Sequence, residues 1–160
     1  MPGPWKFGVR FGAAALLQFA LVLASPLRGV IDRFSEYLAT GSAGLIRLFG
    51  GTCEAHAAFL NLPGTALTLE IQDGCNGLNV VILLWAAVVA FPARWQWRAW
   101  GIAGGFLAIQ LLNLGRIISL FYLAQFSKEA FDFAHHFLWE ALILLDAMLV
   151  FGIWSRQVKA

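Results

Sequence analysis

Four long apolar runs constrain this chain more than any other feature: about 11–27, 75–91, 99–123 and 135–154. A hydrocarbon core of about 30 Å takes roughly 20 helical residues to cross. Within lipid, only helices and closed barrels leave no backbone group unpaired. The runs therefore predict an all-α integral membrane protein with about four transmembrane helices. Composition agrees: 60% of the 160 residues are apolar and 12% are charged. A soluble domain of this length has too little interior to hide so much apolar surface. A net charge of +2 provides no basic field for nucleic acid. Pro92 ends the second run. Gly101 and Gly105 form G-x-x-x-G in the third, read here as ordinary small residues rather than a specific packing motif.

Charge sets the orientation. Lys6 and Arg10 precede the first run, Arg94 and Arg98 lie between the second and third, and Arg156 and Lys159 follow the fourth. No acidic residue interrupts these segments. The opposite segments, about 28–74 and 124–134, hold Asp32, Glu36, Glu54, Glu70, Asp73, Glu129 and Asp132. The positive-inside rule puts both termini in the cytoplasm, which an even number of spans also requires. Ala24 and Ser25 end the first run as a signal-peptide cleavage site does, but the length of the run and Pro26-Leu27-Arg28 favour a retained span.

Segment 28–74 is the largest outer piece. Ile31, Phe34, Leu38, Leu45 and Phe49 recur near helical spacing and predict a helix lying in the interface. Asn61-Leu62-Pro63-Gly64 reads as a turn. From Thr65 to Gln72, Leu67, Leu69 and Ile71 alternate with Thr68, Glu70 and Gln72, which predicts a short strand or hairpin leading into the second span.

Polar side chains within spans are costly, so each is a functional candidate. The third run carries Gln110, Asn113 and Arg116, three residues apart on one side of a helix. The fourth opens with His135 and His136 and continues to Glu140 and Asp146; the second opens with Asp73-Gly74-Cys75-Asn76-Gly77. The orientation brings Cys75, Arg116 and the histidines into one outer layer. Cys75 reads equally well as a small buried hydrophobe or as a nucleophile whose thiol pKa a helix N-terminus, capped by Asp73 or Asn76, would lower. Arg116 reads as a staple to Glu140 or as a donor fork for a developing oxyanion. The local pattern leaves either histidine as the one that does chemistry. Cys53-x-x-His56 is a weak zinc pattern, and a Cys53–Cys75 disulfide is the better reading of that cysteine pair. Asp146 has no evident partner.

Cys75-Asn76-Gly77-Leu78 resembles the C-S/N-G-L motif of the exosortase/archaeosortase family. Asn113-Leu114-Gly115-Arg116-Ile117 resembles its N-x-x-R-I motif in the next span, and a histidine opening the span after that is its third hallmark. The likeness covers about 60–155, and the short chain looks most like the compact type called exosortase H. The resemblance implies one membrane-embedded exosortase-like domain over 1–160, with 28–74 extracytoplasmic. It implies a cysteine transpeptidase of the bacterial inner membrane, with its active site on the extracytoplasmic side. Its partners would be exported proteins ending in a short motif, a transmembrane helix and a basic tail, together with an acceptor nucleophile and the lipid bilayer. It implies no cofactor or metal. Carried over by residue, Cys75 is the nucleophile, Arg116 the transition-state stabiliser and a histidine the general acid/base. The family spacing before an aromatic, met by Trp139, favours His135 over His136. Asn76, Gly77, Asn113 and Glu140 become supporting residues. Two other classes fit the residues: a thiol–disulfide oxidoreductase using Cys53 and Cys75, and a non-enzymatic membrane assembly subunit.

Overall fold

The computed structural model describes residues 4–23, 25–72 and 74–158. Ala24, Asp73 and Lys159, given roles above, lie outside the described residues. In chain order the elements are α1 (Pro4–Leu23), α2 (Ser25–Leu48), β1 (Glu54–His56), β2 (Phe59–Asn61), β3 (Thr68–Glu70), α3 (Leu78–Ala90), α4 (Trp95–Phe126), α5 (Lys128–Phe133), a π-helical turn (Ala134–Leu138) and α6 (Trp139–Gln157). The all-α membrane class stands. Three stretches are long and apolar enough to span a bilayer: Trp5–Val22 in α1, α4, and the continuous run Lys128–Gln157.

The second expected span is the exception. The 13 residues of α3 extend only about 20 Å at 1.5 Å per residue, less than the core thickness of about 30 Å. The helix starts at Leu78 rather than Cys75 because Gly77 turns left-handed, with φ +75°. The Asn76 side chain accepts the Leu78 N–H at 3.1 Å, an Asx turn that holds this start. At the other end Phe91 is extended ahead of Pro92, which disfavours helix in the residue before it. Other boundaries move too. α1 ends at Leu23, and Pro26 falls in the first turn of α2, where its missing N–H is harmless. α4 outruns the expected 99–123 at both ends, and the last helical run begins seven residues before His135, at Lys128.

The helix expected in this segment is present as α2, but with a different buried stripe. Ser35, Leu38, Ala39, Ser42, Ala43 and Ile46 are buried, whereas Phe49 is exposed in the following turn. Only Leu38 belongs to the expected set of large residues. Small side chains on this face let α2 approach its neighbours closely. They pack with Cys53, Leu60, Ile71, Ile117 and Phe121 into a core shared by α2, the sheet and the C-terminal half of α4. The strand expected near Thr65–Gln72 is β3, one of three antiparallel strands ordered β1-β2-β3. The turn read at Asn61–Gly64 forms one residue later, at Leu62–Thr65, with Thr65 N donating to Leu62 O at 3.2 Å and Gly64 at φ +78°.

A second core joins α3, α4 and α6 through Val81, Leu84, Val88, Ile109, Ile143 and Trp154. Here Gly101 and Gly105 correct the sequence reading, because both are packing sites. A Cβ on Gly101 would lie 2.6 Å from the Trp154 indole nitrogen, and one on Gly105 would overlap the Leu84 side chain. Trp154 Nε1 donates to Trp97 O at 2.8 Å, so the indole is not free to retreat. Gly101→Ala is therefore expected to destabilise the bundle by about 1–3 kcal/mol, the usual cost of overpacking; thermal unfolding in detergent measures it. The same contacts bring basic ends together. Phe7 of α1 meets Phe151 of α6, and Phe91 meets Trp154, with ring centroids 6.4 and 5.5 Å apart respectively. Lys6, Arg94, Arg98 and Arg156 flank these contacts at one end of the bundle, opposite the sheet.

Candidate active site

Cys75 lies in the loop between β3 and α3, and both neighbouring helices fix that loop. Its N–H donates to Gln72 O at 2.7 Å. The Asn76 carbonyl accepts from Gln110 Nε2 of α4 at 3.2 Å, and Asn76 Nδ2 donates to Ser35 Oγ of α2 at 3.5 Å. Gly77 is required twice over. Its φ is left-handed, and a Cβ would sit 3.2 Å from Gln110 Nε2 and 3.3 Å from Asn113 Cγ. Asn113 is fully buried against this glycine. The polar residues spaced along α4 thus seat the turn that presents the thiol.

Three candidate groups converge. Cys75 Sγ lies 2.9 Å from His135 Nε2, and Arg116 Nη2 donates to the same sulfur at 3.8 Å. Arg116 is 3% exposed, and its Nε has no partner among the described residues. Most of its donor fork is therefore uncommitted. Of the two readings of Arg116, the staple to Glu140 is not made: Glu140 is exposed on α6, while Arg116 donates to the sulfur. Behind the site, His135 Nδ1 is 3.5 Å from His136 Nε2. Phe131 stacks on the His135 ring at 5.5 Å and 15°. His136 is exposed and reaches the thiol only through His135. Both rings sit in the π-helical turn, with centroids 4.5 Å apart.

A cavity of about 200 Å³ opens onto these groups. Leu69, Glu70, Ile71 and Gln72 form one wall; Ile117, Leu120 and Phe131 line it beside Cys75, Arg116 and His135. Sequence reasoning missed the β3 residues and Phe131 as parts of the site. The four-residue spacing from Phe131 to His135 on one helix was the available signal for the stacking partner.

The electrostatics of the thiol also correct an expectation. Burial is the dominant influence and pushes the Cys75 thiol up, Arg116 opposes it, and Glu140 adds to the rise. Alkylation of Cys75 by iodoacetamide, followed by mass spectrometry, is expected to be slow at neutral pH and to rise with a midpoint above the usual thiol value of about 8.5. Arg116→Gln removes the opposing charge and is expected to raise the midpoint further.

Cys53 and Cys75 are both free, so the disulfide reading of that pair is not met. Cys53 is buried in the α2–sheet core, where burial pushes its thiol up as well. The sulfur of Cys75 is engaged by His135 and Arg116 instead. Among the described residues no three His, Cys, Asp or Glu side chains group as metal ligands, so Cys53-x-x-His56 gains no third ligand there. Asp146 Oδ2 has no partner among the described residues.

A helical membrane scaffold gathers a thiol, an imidazole and a buried guanidinium around one cavity. The family model for transmembrane exosortase (Exosortase_EpsH) matches residues 5–153. The chain belongs to the exosortase family, whose members are generally cysteine-peptidase-like. Comparison with curated proteins and with solved structures gives no match.

Proposed function

We propose that this chain is a cysteine transpeptidase of the bacterial inner membrane. In this reading both termini are cytoplasmic and the catalytic cavity is extracytoplasmic. Its substrates are exported proteins ending in a short recognition motif, a transmembrane helix and a basic tail. One observation carries the reading: a single sulfur in contact with both His135 Nε2 and Arg116 Nη2. The gathering of basic residues at the opposite end of the bundle supports the orientation. A substrate's basic tail stays on that cytoplasmic side, which sets the register of its helix and carries its motif to the cavity.

His135 Nε2 takes the thiol proton as Sγ bonds to the scissile carbonyl carbon. The carbonyl oxygen becomes an oxyanion facing the free fork of Arg116. The C–N bond then breaks, the imidazolium returns its proton to the leaving amine, and an acyl-enzyme thioester remains on Cys75. An acceptor amine or hydroxyl, losing its proton to His135, attacks the thioester and restores the thiol. His136 and Phe131 hold the imidazole in place.

The test is co-expression with an exported reporter whose C-terminus carries a randomised short motif, a transmembrane helix and an arginine-rich tail. The expected result is a processed reporter and, by mass spectrometry, a hydroxylamine-sensitive reporter adduct on Cys75. An adduct elsewhere, with processing intact, overturns the assignment.

A further inference from the structure

We propose that the substrate's recognition segment binds as an added strand on the open edge of β3, held by main-chain hydrogen bonds. The inference rests on the transpeptidase reading and specifies how its substrate is seated.

The ladder fixes which backbone groups are free. β3 pairs with β2 in the register Phe59↔Glu70, Leu60↔Leu69 and Asn61↔Thr68. Ile71 N donates to Ala58 O at 2.9 Å, and Leu62 N to Leu67 O at 3.2 Å. In an antiparallel pair such bonds alternate along the strand. Leu67, Leu69 and Ile71 therefore turn their backbone groups toward β2, and Thr68 and Glu70 turn theirs to the outer edge, joined by the Gln72 N–H. β3 is the last strand of the sheet, so its own sheet supplies no partner there. An unpaired edge is a template for another strand, and edge addition is a general mode of peptide capture.

The position of this edge selects the occupant. β3 forms a wall of the cavity that holds Cys75, Arg116 and His135. Cys75 N–H donates to Gln72 O at 2.7 Å, which holds the end of this edge beside Cys75. A peptide paired along Thr68 and Glu70 continues past Gln72 toward the sulfur. The two faces of β3 differ: Leu69 and Ile71 pack on the core, while Thr68, Glu70 and Gln72 are exposed. The side chains of an added strand alternate between those faces. The class of ligand is an extended peptide with apolar residues at every second position.

The experiment uses the full chain in lipid nanodiscs and the chloromethyl ketone of acetyl-Val-Ala-Val-Ala, with analogues N-methylated at one amide each. Labelling of Cys75 is followed by mass spectrometry, and iodoacetamide serves as the small-reagent reference. Methylation at alternate amides is expected to slow labelling about tenfold or more, and methylation at the intervening amides to leave it near the parent rate, because only alternate N–H groups face β3. Glu70→Pro removes one edge N–H while leaving the β2 ladder intact, and is expected to slow the parent peptide about tenfold relative to iodoacetamide. Equal rates across the methylated series, or a parent peptide no faster than iodoacetamide, overturn the strand addition. That failure is separable from failure of the chemistry, which is read by whether reporter processing depends on Cys75.

Discussion

Cys75→Ala is expected to leave the protein in the membrane at its normal level and to reduce reporter processing by about 10³-fold or more, the scale seen when a covalent nucleophile is deleted. Cys53, the other thiol, is buried in the core between α2 and the sheet. The loop around position 75 does not depend on the thiol, since Asn76, Gln110 and Ser35 hold it through other atoms. Cys75→Ser separates geometry from reactivity. A hydroxyl fits the same place but ionises far less readily than a thiol, so an imidazole beside it is a poor match as base. Immunoblots of processed reporter against membrane-bound enzyme measure both variants. Processing by Cys75→Ala at the wild-type rate removes the catalytic reading outright.

Arg116→Lys is expected to cost about 10²–10³-fold in processing, comparable to losing one oxyanion donor. The substitution keeps the positive charge and removes the planar fork. An ammonium is a compact point charge that cannot direct parallel N–H bonds to one oxygen while also touching the sulfur. The charge it retains still opposes the upward push of burial on Cys75, so the alkylation midpoint is expected to stay near wild type while turnover falls. Wild-type turnover by the lysine variant would reduce the role of Arg116 to charge alone. Arg116→Gln is expected to move both quantities. The pair thus separates donor geometry from electrostatics.

The site is legible in the sequence to the extent that lipid makes polar residues conspicuous. Cys75, Asn76, Gly77, Asn113, Arg116 and His135 all stand out against apolar runs, and their order along the chain fits one layer. The Arg116–Glu140 pair misleads for the same reason: similar depth is readable, but the direction in which a side chain leaves its helix is not. β1 and β2 escape detection because each has three residues, Glu54-Ala55-His56 has little strand propensity, and no Asn-Gly or Asp-Gly marks their turn. The role of Gly101 and Gly105 depends on Trp154 and Leu84, residues distant in sequence that nothing local announces. The shortness of α3 follows from a left-handed glycine within a run that hydropathy alone reads as continuous.

The π-turn at Ala134–Leu138 has a consequence for how this centre can vary. An unbroken α-helix would lock the aim of the imidazole to the seam that α6 forms with α4, because every residue advances by the same angle. The wider turn absorbs part of that rotation between the two. The His135 ring and the structural seam are therefore adjustable one without the other, and Trp154 can stay docked on Gly101 while small changes around Phe131 and His136 re-aim the imidazole.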